Sequence, residues 1–259
     1  MSRITMKMSG LQVYGRITRL PIQVILVISC LSVLCPSPVG AQEWNIVEAQ
    51  TLHEMMEKEP ITLVNVMSRI ECLDHRIPGS RCIACEEVTD RLPEIPRDRK
   101  LVLYCESEGC IRSCTAAQDA ITGGIENVYV LKGGMPAWKR AGFVLESVER
   151  VPRAFIHSIK AEGLEEWLSL HPDYIVLDIR SEALYEEGHL EGAVNVPFHQ
   201  LHERYYELPW DRALFVVDER GVRSFLAACY LARKGFPVVR LFGGMEKWRA
   251  FSQSGGQNK

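Results

Sequence analysis

A cysteine at the end of an apolar strand, with an arginine a few residues on, can present a thiolate to an anion. The stretch Tyr104-Cys105-Glu106-Ser107-Glu108-Gly109-Cys110-Ile111-Arg112-Ser113 has that form. Leu101 to Tyr104 leads into Cys105, and an amphipathic stretch begins at Arg112. Backbone amides of such a turn and the positive end of the following helix both favour thiolate over thiol, and the thiolate is the nucleophile. Arg112 would add a fixed charge and a forked pair of donors for an anion. The plain alternative is that Cys105 is a small core residue at a strand end. Cys110 lies inside the loop and Cys114 near the start of the next helix. Cys105 and Cys110 could close a disulfide, with Cys110 as the resolving thiol. Equally, Cys110 and Cys114 could be structural or pair elsewhere.

Six of the nine cysteines fall between positions 72 and 114, and that crowding points to redox, metal or sulfur chemistry in the first half. Cys72 and His75, followed by Cys82 and Cys85, have the short spacings of a zinc site. A disulfide among Cys72, Cys82 and Cys85 is the competing reading where the compartment is oxidising. The N-terminus bears on that choice. Arg3, Lys7, Arg16 and Arg19 precede the apolar run Leu20 to Leu34, and Val39-Gly40-Ala41 supplies small residues. This order predicts a signal peptide over residues 1–41, cut after Ala41, and hence a periplasmic or secreted protein. An uncleaved anchor or a lipid on Cys30 are the alternatives.

Hydrophobic content of 47% and charged content of 24% are ordinary for globular domains, and 259 residues suit two of them. A net charge of -3 gives no electrostatic case for nucleic acid or for an anionic membrane surface, leaving small molecules or proteins as partners.

The chain repeats itself. Leu63-Val64-Asn65-Val66 corresponds to Val176-Leu177-Asp178-Ile179, and Ile77 to Ser80 corresponds to Leu190 to Ala193. Further on, Arg112-Ser113 matches Arg223-Ser224, and Gly133-Gly134-Met135 with Trp138 matches Gly243-Gly244-Met245 with Trp248. In each copy, short apolar strands (Ile61 to Val66, Leu101 to Tyr104, Val128 to Leu131; Tyr174 to Leu177, Ala213 to Val217, Val238 to Leu241) alternate with helical patterns. That alternation predicts an α/β fold, with a mostly parallel sheet covered by helices on both faces. Domains are expected at 45–145 and 158–252, joined by a linker at 146–157. Trp138 and Trp248 read as core residues.

Val176 to Ser181, Gly188 to Pro197, the loop ending in Arg223-Ser224, and Gly243-Gly244-Met245 with Trp248 together resemble the rhodanese domain. The resemblance spans residues 45 to 252. The second copy follows the pattern closely, whereas the first has Asn65 where the family has an acid and His75-Arg76 where it has Gly-His. It implies two tandem rhodanese-like domains and a sulfurtransferase. Cys105 would take a sulfane sulfur as a persulfide and pass it to a thiol or cyanide, with the loop residues 106 to 113 binding the substrate. Expected partners are a small sulfur donor, a thiol acceptor and a protein relay partner; no cofactor, nucleic acid or membrane contact beyond an N-terminal anchor is expected. Arg112 lies seven residues after Cys105, two more than the sulfurtransferase loop has, and one out of register with the related cell-cycle phosphatases, which ranks phosphatase activity lower. In the second copy Asp218 stands at the nucleophile position, so that domain is expected to be noncatalytic, with Arg223 paired to Asp218 and His189 in a structural role. A nonenzymatic binding or redox-interaction protein is the rival reading.

Overall fold

A computed structural model of the chain describes residues 44–255; the expected signal peptide lies outside them. The first half contains β1 (Asn45–Val47), β2 (Ile61–Asn65), β3 (Arg81–Cys82), β4 (Lys100–Tyr104) and β5 (Val128–Leu131). The second contains β6 (His157–Ile159), β7 (Ile175–Asp178), β8 (Val194–Asn195), β9 (Leu214–Val217) and β10 (Val238–Leu241). They form two five-stranded parallel sheets with the same order, β1-β5-β4-β2-β3 and β6-β10-β9-β7-β8. The chain is therefore two tandem α/β domains of one topology.

The central strands explain themselves. Leu101, Val102, Leu103 and Tyr104 are fully buried in β4, as are Leu214 to Val217 in β9. Strands apolar on both faces must be covered on both faces, and each side chain buried contributes about 1.5–3 kcal/mol. In the first domain one face packs Leu101 and Leu103 against Ala116, Ala117 and Ala120 of the helix Arg112–Thr122. The other packs Val102 and Tyr104 against Leu52, Met135 and Trp138. Trp138 is buried as expected and donates its ring N–H to the Val144 carbonyl at 2.9 Å. Trp248 is half-buried against the matching layer of the second domain.

The two domains share packing. The helix Arg69–Asp74 starts with a capping box, in which Ser68 N–H donates to the Glu71 carboxylate at 3.0 Å and Glu71 N–H to Ser68 Oγ at 3.3 Å. It carries Ile70 into the core of the second domain beside Leu177 and Phe198. The connecting segment is tied down. Val151 N–H donates to the buried Asp74 carboxylate at 2.7 Å, and Val148 and Glu149 donate to the Leu73 carbonyl. β6 begins inside the expected linker, at His157.

Candidate active site

Cys105 is the first residue after β4, and seven residues later Arg112 opens the helix Arg112–Thr122. The crossing between them is the reactive position of a parallel sheet, beyond the carboxyl end of a central strand. A second turn holds it from behind. Met135 N–H donates to the Cys105 carbonyl at 3.0 Å, and in the second domain Met245 N–H donates to the Asp218 carbonyl at 2.8 Å. The repeated Gly-Gly-Met motif thus presses one turn against the reactive loop. A Cβ on Gly134, whose φ is +55°, would lie 2.5 Å from the Cys105 carbonyl oxygen, so only glycine permits this approach.

The sequence reasoning weighed Cys110 as a resolving thiol and did not foresee its lowered pKa. The amide of Cys110 turns back to the Ser107 carbonyl at 3.4 Å, and the Cys110 side chain packs against the cluster that holds Cys105. Both cysteines are free thiols. Cys105 is 3% exposed, and its sulfur lies 3.4 Å from the Ser107 carbonyl and 3.8 Å from the Cys110 carbonyl, with the Ser113 hydroxyl donating to it at 3.7 Å. The hydrogen bond with Cys110, then burial, pushes the Cys105 thiol far up; Ser113 and the Ser107 backbone oppose this without reversing it. Cys110 moves the other way. The hydrogen bond from Cys105 lowers it against the cost of burial, and the Arg112 backbone amide and the charges of Arg112 and Arg223 lower it further. Of the two thiols, Cys110 is the one whose thiolate is favoured. The Cys110 hydrogen bond and burial thus oppose the thiolate expected on Cys105.

Arg112 also departs from expectation. Its guanidinium pairs with Glu86 at 2.9 Å rather than reaching over the Cys105 sulfur. The other expected binding residues are spread around the loop. Glu106 stands at the mouth of a cleft, where loss of solvent, then the neighbouring Glu71, raises its carboxyl pKa. Ser107 supplies carbonyl contacts, Gly109 lies in the turn, Glu108 pairs with Arg140 on the surface, and Ile111 is exposed. Ser113 is buried on the sulfur.

The cleft, about 470 Å³, lies between the domains. Glu106 and Arg112 reach it from the first, and Asp218, Arg180, Arg223 and His199 from the second; Cys105 and Cys110 do not line it. At Asp218 the short loop does what was expected at Cys105. Gly221 N–H donates to one carboxylate oxygen at 2.7 Å and Arg223 N–H to the other at 2.9 Å. Arg223 does not pair with Asp218 through its side chain, because the backbone satisfies that carboxylate. Its guanidinium reaches Glu71 of the first domain at 3.8 Å and lies over the Phe198 ring.

The zinc candidates do not form a ligand set. Cys72 and Cys82 are joined in a disulfide, with Cα atoms 5.7 Å apart. His75 hydrogen-bonds Asp74 at 2.9 Å, and Cys85 donates to the Arg112 carbonyl at 3.3 Å, its thiol pushed up to about 11 by burial and then by Glu86. Among the described residues no cluster of such side chains is placed to hold a metal. Cys114 is not among the free thiols. His189 stacks on Tyr185 with ring centres 3.8 Å apart and bonds its carbonyl at 2.8 Å, a structural role.

The family described as Rhodanese-like domain matches residues 48–141 and again residues 161–251. A sulfurtransferase of Allochromatium vinosum is 32% identical over 94 residues, which cover 36% of this chain and 88% of that protein. Thiosulfate sulfurtransferase GlpE of Coxiella burnetii is 31% identical over 98 residues, 37% of this chain and 92% of its own. A probable molybdopterin-synthase adenylyltransferase of Porphyra purpurea is 39% identical over 77 residues, a fifth of its length. Among solved structures, a thiosulfate sulfurtransferase of Pseudomonas aeruginosa shares 25% identity over 78% of this chain and 44% of its own, with a TM-score of 0.40. Matched in both halves, the chain belongs to the rhodanese-like domain family.

Proposed function

We propose that the protein is a sulfurtransferase, in which a sulfane sulfur from thiosulfate or a persulfide donor is carried as a persulfide on Cys105 and delivered to a thiol or cyanide. The observation that carries this reading is Cys105 at the crossing from β4 to the helix, with the Ser113 hydroxyl donating to its sulfur at 3.7 Å. Cys105 attacks the outer sulfur of the donor as its proton passes to Cys110 or to solvent. With thiosulfate, the S–S bond breaks, sulfite leaves with the electron pair, and Cys105 gains one sulfur. Sulfurtransferases covering most of their own length among the relatives support the same chemistry.

Asp218 offers no sulfur for a persulfide, and its carboxylate already fills its amide cradle. The second domain is therefore a noncatalytic partner that completes the cleft. Arg112, held by Glu86, leaves no free guanidinium for a phosphate cradle and speaks against phosphatase chemistry. Export is part of the proposal, supported by the residue order of the N-terminus and by the Cys72–Cys82 disulfide, which persists in oxidising compartments. The test is mass spectrometry after thiosulfate treatment of the reduced protein. The proposal expects sulfite release from wild type and none from Cys105→Ser, and a nonenzymatic role stands if both are inert.

A further inference from the structure

Resting on the sulfur-transfer reading, we infer that Cys110 resolves the Cys105 persulfide: it attacks the Cys105 sulfur, releases hydrosulfide, and leaves a Cys105–Cys110 disulfide that an external dithiol reductant reopens. The protein would thus reduce sulfane sulfur to sulfide at the expense of a dithiol, besides passing sulfur on.

Three observations carry this. First, the Cys105 sulfur lies 3.8 Å from the Cys110 carbonyl and Cys110 packs against the cluster that holds Cys105, so the second nucleophile is held in the same loop, and an intramolecular attack outruns one from solution. Second, Cys105 is 3% exposed and does not open into the interdomain cleft, so an acceptor from solution reaches its sulfur less readily than Cys110 does. Third, the turn from Ser107 to Cys110 belongs to the longer loop of the first domain. The second domain, where Arg223 lies only five positions after Asp218, has neither the turn nor a second cysteine.

The step balances. After uptake Cys105 bears S–S⁻ and Cys110 is protonated. Cys110 sulfur bonds to the Cys105 sulfur, the bond to the terminal sulfur breaks, and that sulfur leaves as HS⁻ with Cys110's proton. Two thiol sulfurs are oxidised to a disulfide while the sulfane sulfur is reduced to sulfide. A dithiol then reduces the disulfide by exchange and is itself oxidised to a disulfide. Attack on the terminal sulfur instead would only move the persulfide to Cys110.

The test uses the full-length chain, prereduced, freed of reductant and treated with thiosulfate alone. Wild type is expected to release one equivalent of sulfide and to lose about 2 Da, with residues 105 and 110 linked in the peptide map. Adding dithiothreitol should turn this single event into continuous sulfide production. Cys110→Ser should instead gain about 32 Da on Cys105 and lose at least about tenfold in sulfide yield. Removing Cys110 removes the largest cause of the raised Cys105 pKa, so the variant retains a nucleophile. Cys110→Ala checks that the added hydroxyl is not responsible. If wild type holds the extra sulfur with Cys110 still open to alkylation, or if Cys110→Ser releases as much sulfide, the resolving role is overturned while sulfur transfer stands. If Cys110→Ser and Cys110→Ala, both folded, take up no sulfur, the persulfide reading itself falls.

Discussion

Met135 holds the carbonyl of Cys105 through its amide at 3.0 Å, and this one bond fixes where the reactive residue leaves its strand. The bond exists because Gly134, at φ +55°, lets the following turn approach so closely. Gly134→Ala would combine a left-handed backbone penalty with a Cβ 2.5 Å from the Cys105 oxygen. A cost of about 1–3 kcal/mol follows from the strain alone, and the clash is relieved by moving Cys105. Thermal unfolding should report the loss, and thiosulfate uptake should fall at least tenfold in the fraction still folded. Undiminished uptake would show that the carbonyl contact does not position the thiol.

The charge placement predicts a pH signature. Hydrogen bonding from Cys105, then the Arg112 amide and the arginine charges, overcomes burial and lowers Cys110 to about 6. A lowered folded-state value favours the fold above the ordinary thiol pKa, and that advantage fades as pH falls through about 6. Iodoacetamide labelling of Cys110, followed peptide by peptide, should therefore be half-maximal near that pH, where an unshifted thiol needs about 8.5. In Cys105→Ala the largest lowering contribution is gone, and the midpoint should move upward. A midpoint unchanged by that substitution would show that the two sulfurs do not share a proton.

A buried ion pair separates the two copies. Asp178 is fully buried and takes the Arg180 guanidinium at 2.6 Å. At the same place the first domain has Asn65, whose side-chain oxygen accepts only the Met67 amide, at 3.0 Å. Asp178→Asn leaves the buried Arg180 with only Glu219, at 3.4 Å, as a charge partner and should cost up to about 3–5 kcal/mol. The double change Asp178→Asn with Arg180→Met copies the first domain and should recover most of that loss, because no charge is then stranded. Denaturant unfolding of Asp178→Asn, Arg180→Met and the double variant reads the coupling directly, and additive losses would contradict it.

The architecture and the location of the site could be read from residue patterns, because they rest on local features. Buried runs such as Leu101 to Tyr104 and the repeated Gly-Gly-Met turns are visible as they stand. Two-residue edge strands such as Arg81–Cys82 and Val194–Asn195 show no period and escaped notice. The pairing of Cys72 with Cys82 stayed open, since Cys85 was equally near in sequence, and only the fold turns Cys85 toward the Arg112 carbonyl. Arg112 finds its partner Glu86 from another part of the chain. Which sulfur bears the charge depends on a turn of four residues and on which thiol captures one helical amide, and spacing alone does not encode that.

Asp218 offers the sharpest contrast with Cys105, because its loop aims two amides, from Gly221 and Arg223, at whatever side chain stands there. Asp218→Ala should cost about 1–2 kcal/mol, as loss of a helix-capping carboxylate does. Asp218→Cys would put a sulfur in an amide cradle with no second thiol in the loop, an environment that stabilises thiolate and persulfide alike. In a Cys105→Ser background, Asp218→Cys should therefore gain about 32 Da from thiosulfate and keep it, mapped to position 218, since nothing in the short loop can expel the sulfur. The cleft should admit the donor, because Asp218 already lines it. Absence of uptake at a folded, alkylatable cysteine there would mean that converging amides alone do not suffice for sulfur capture on this scaffold.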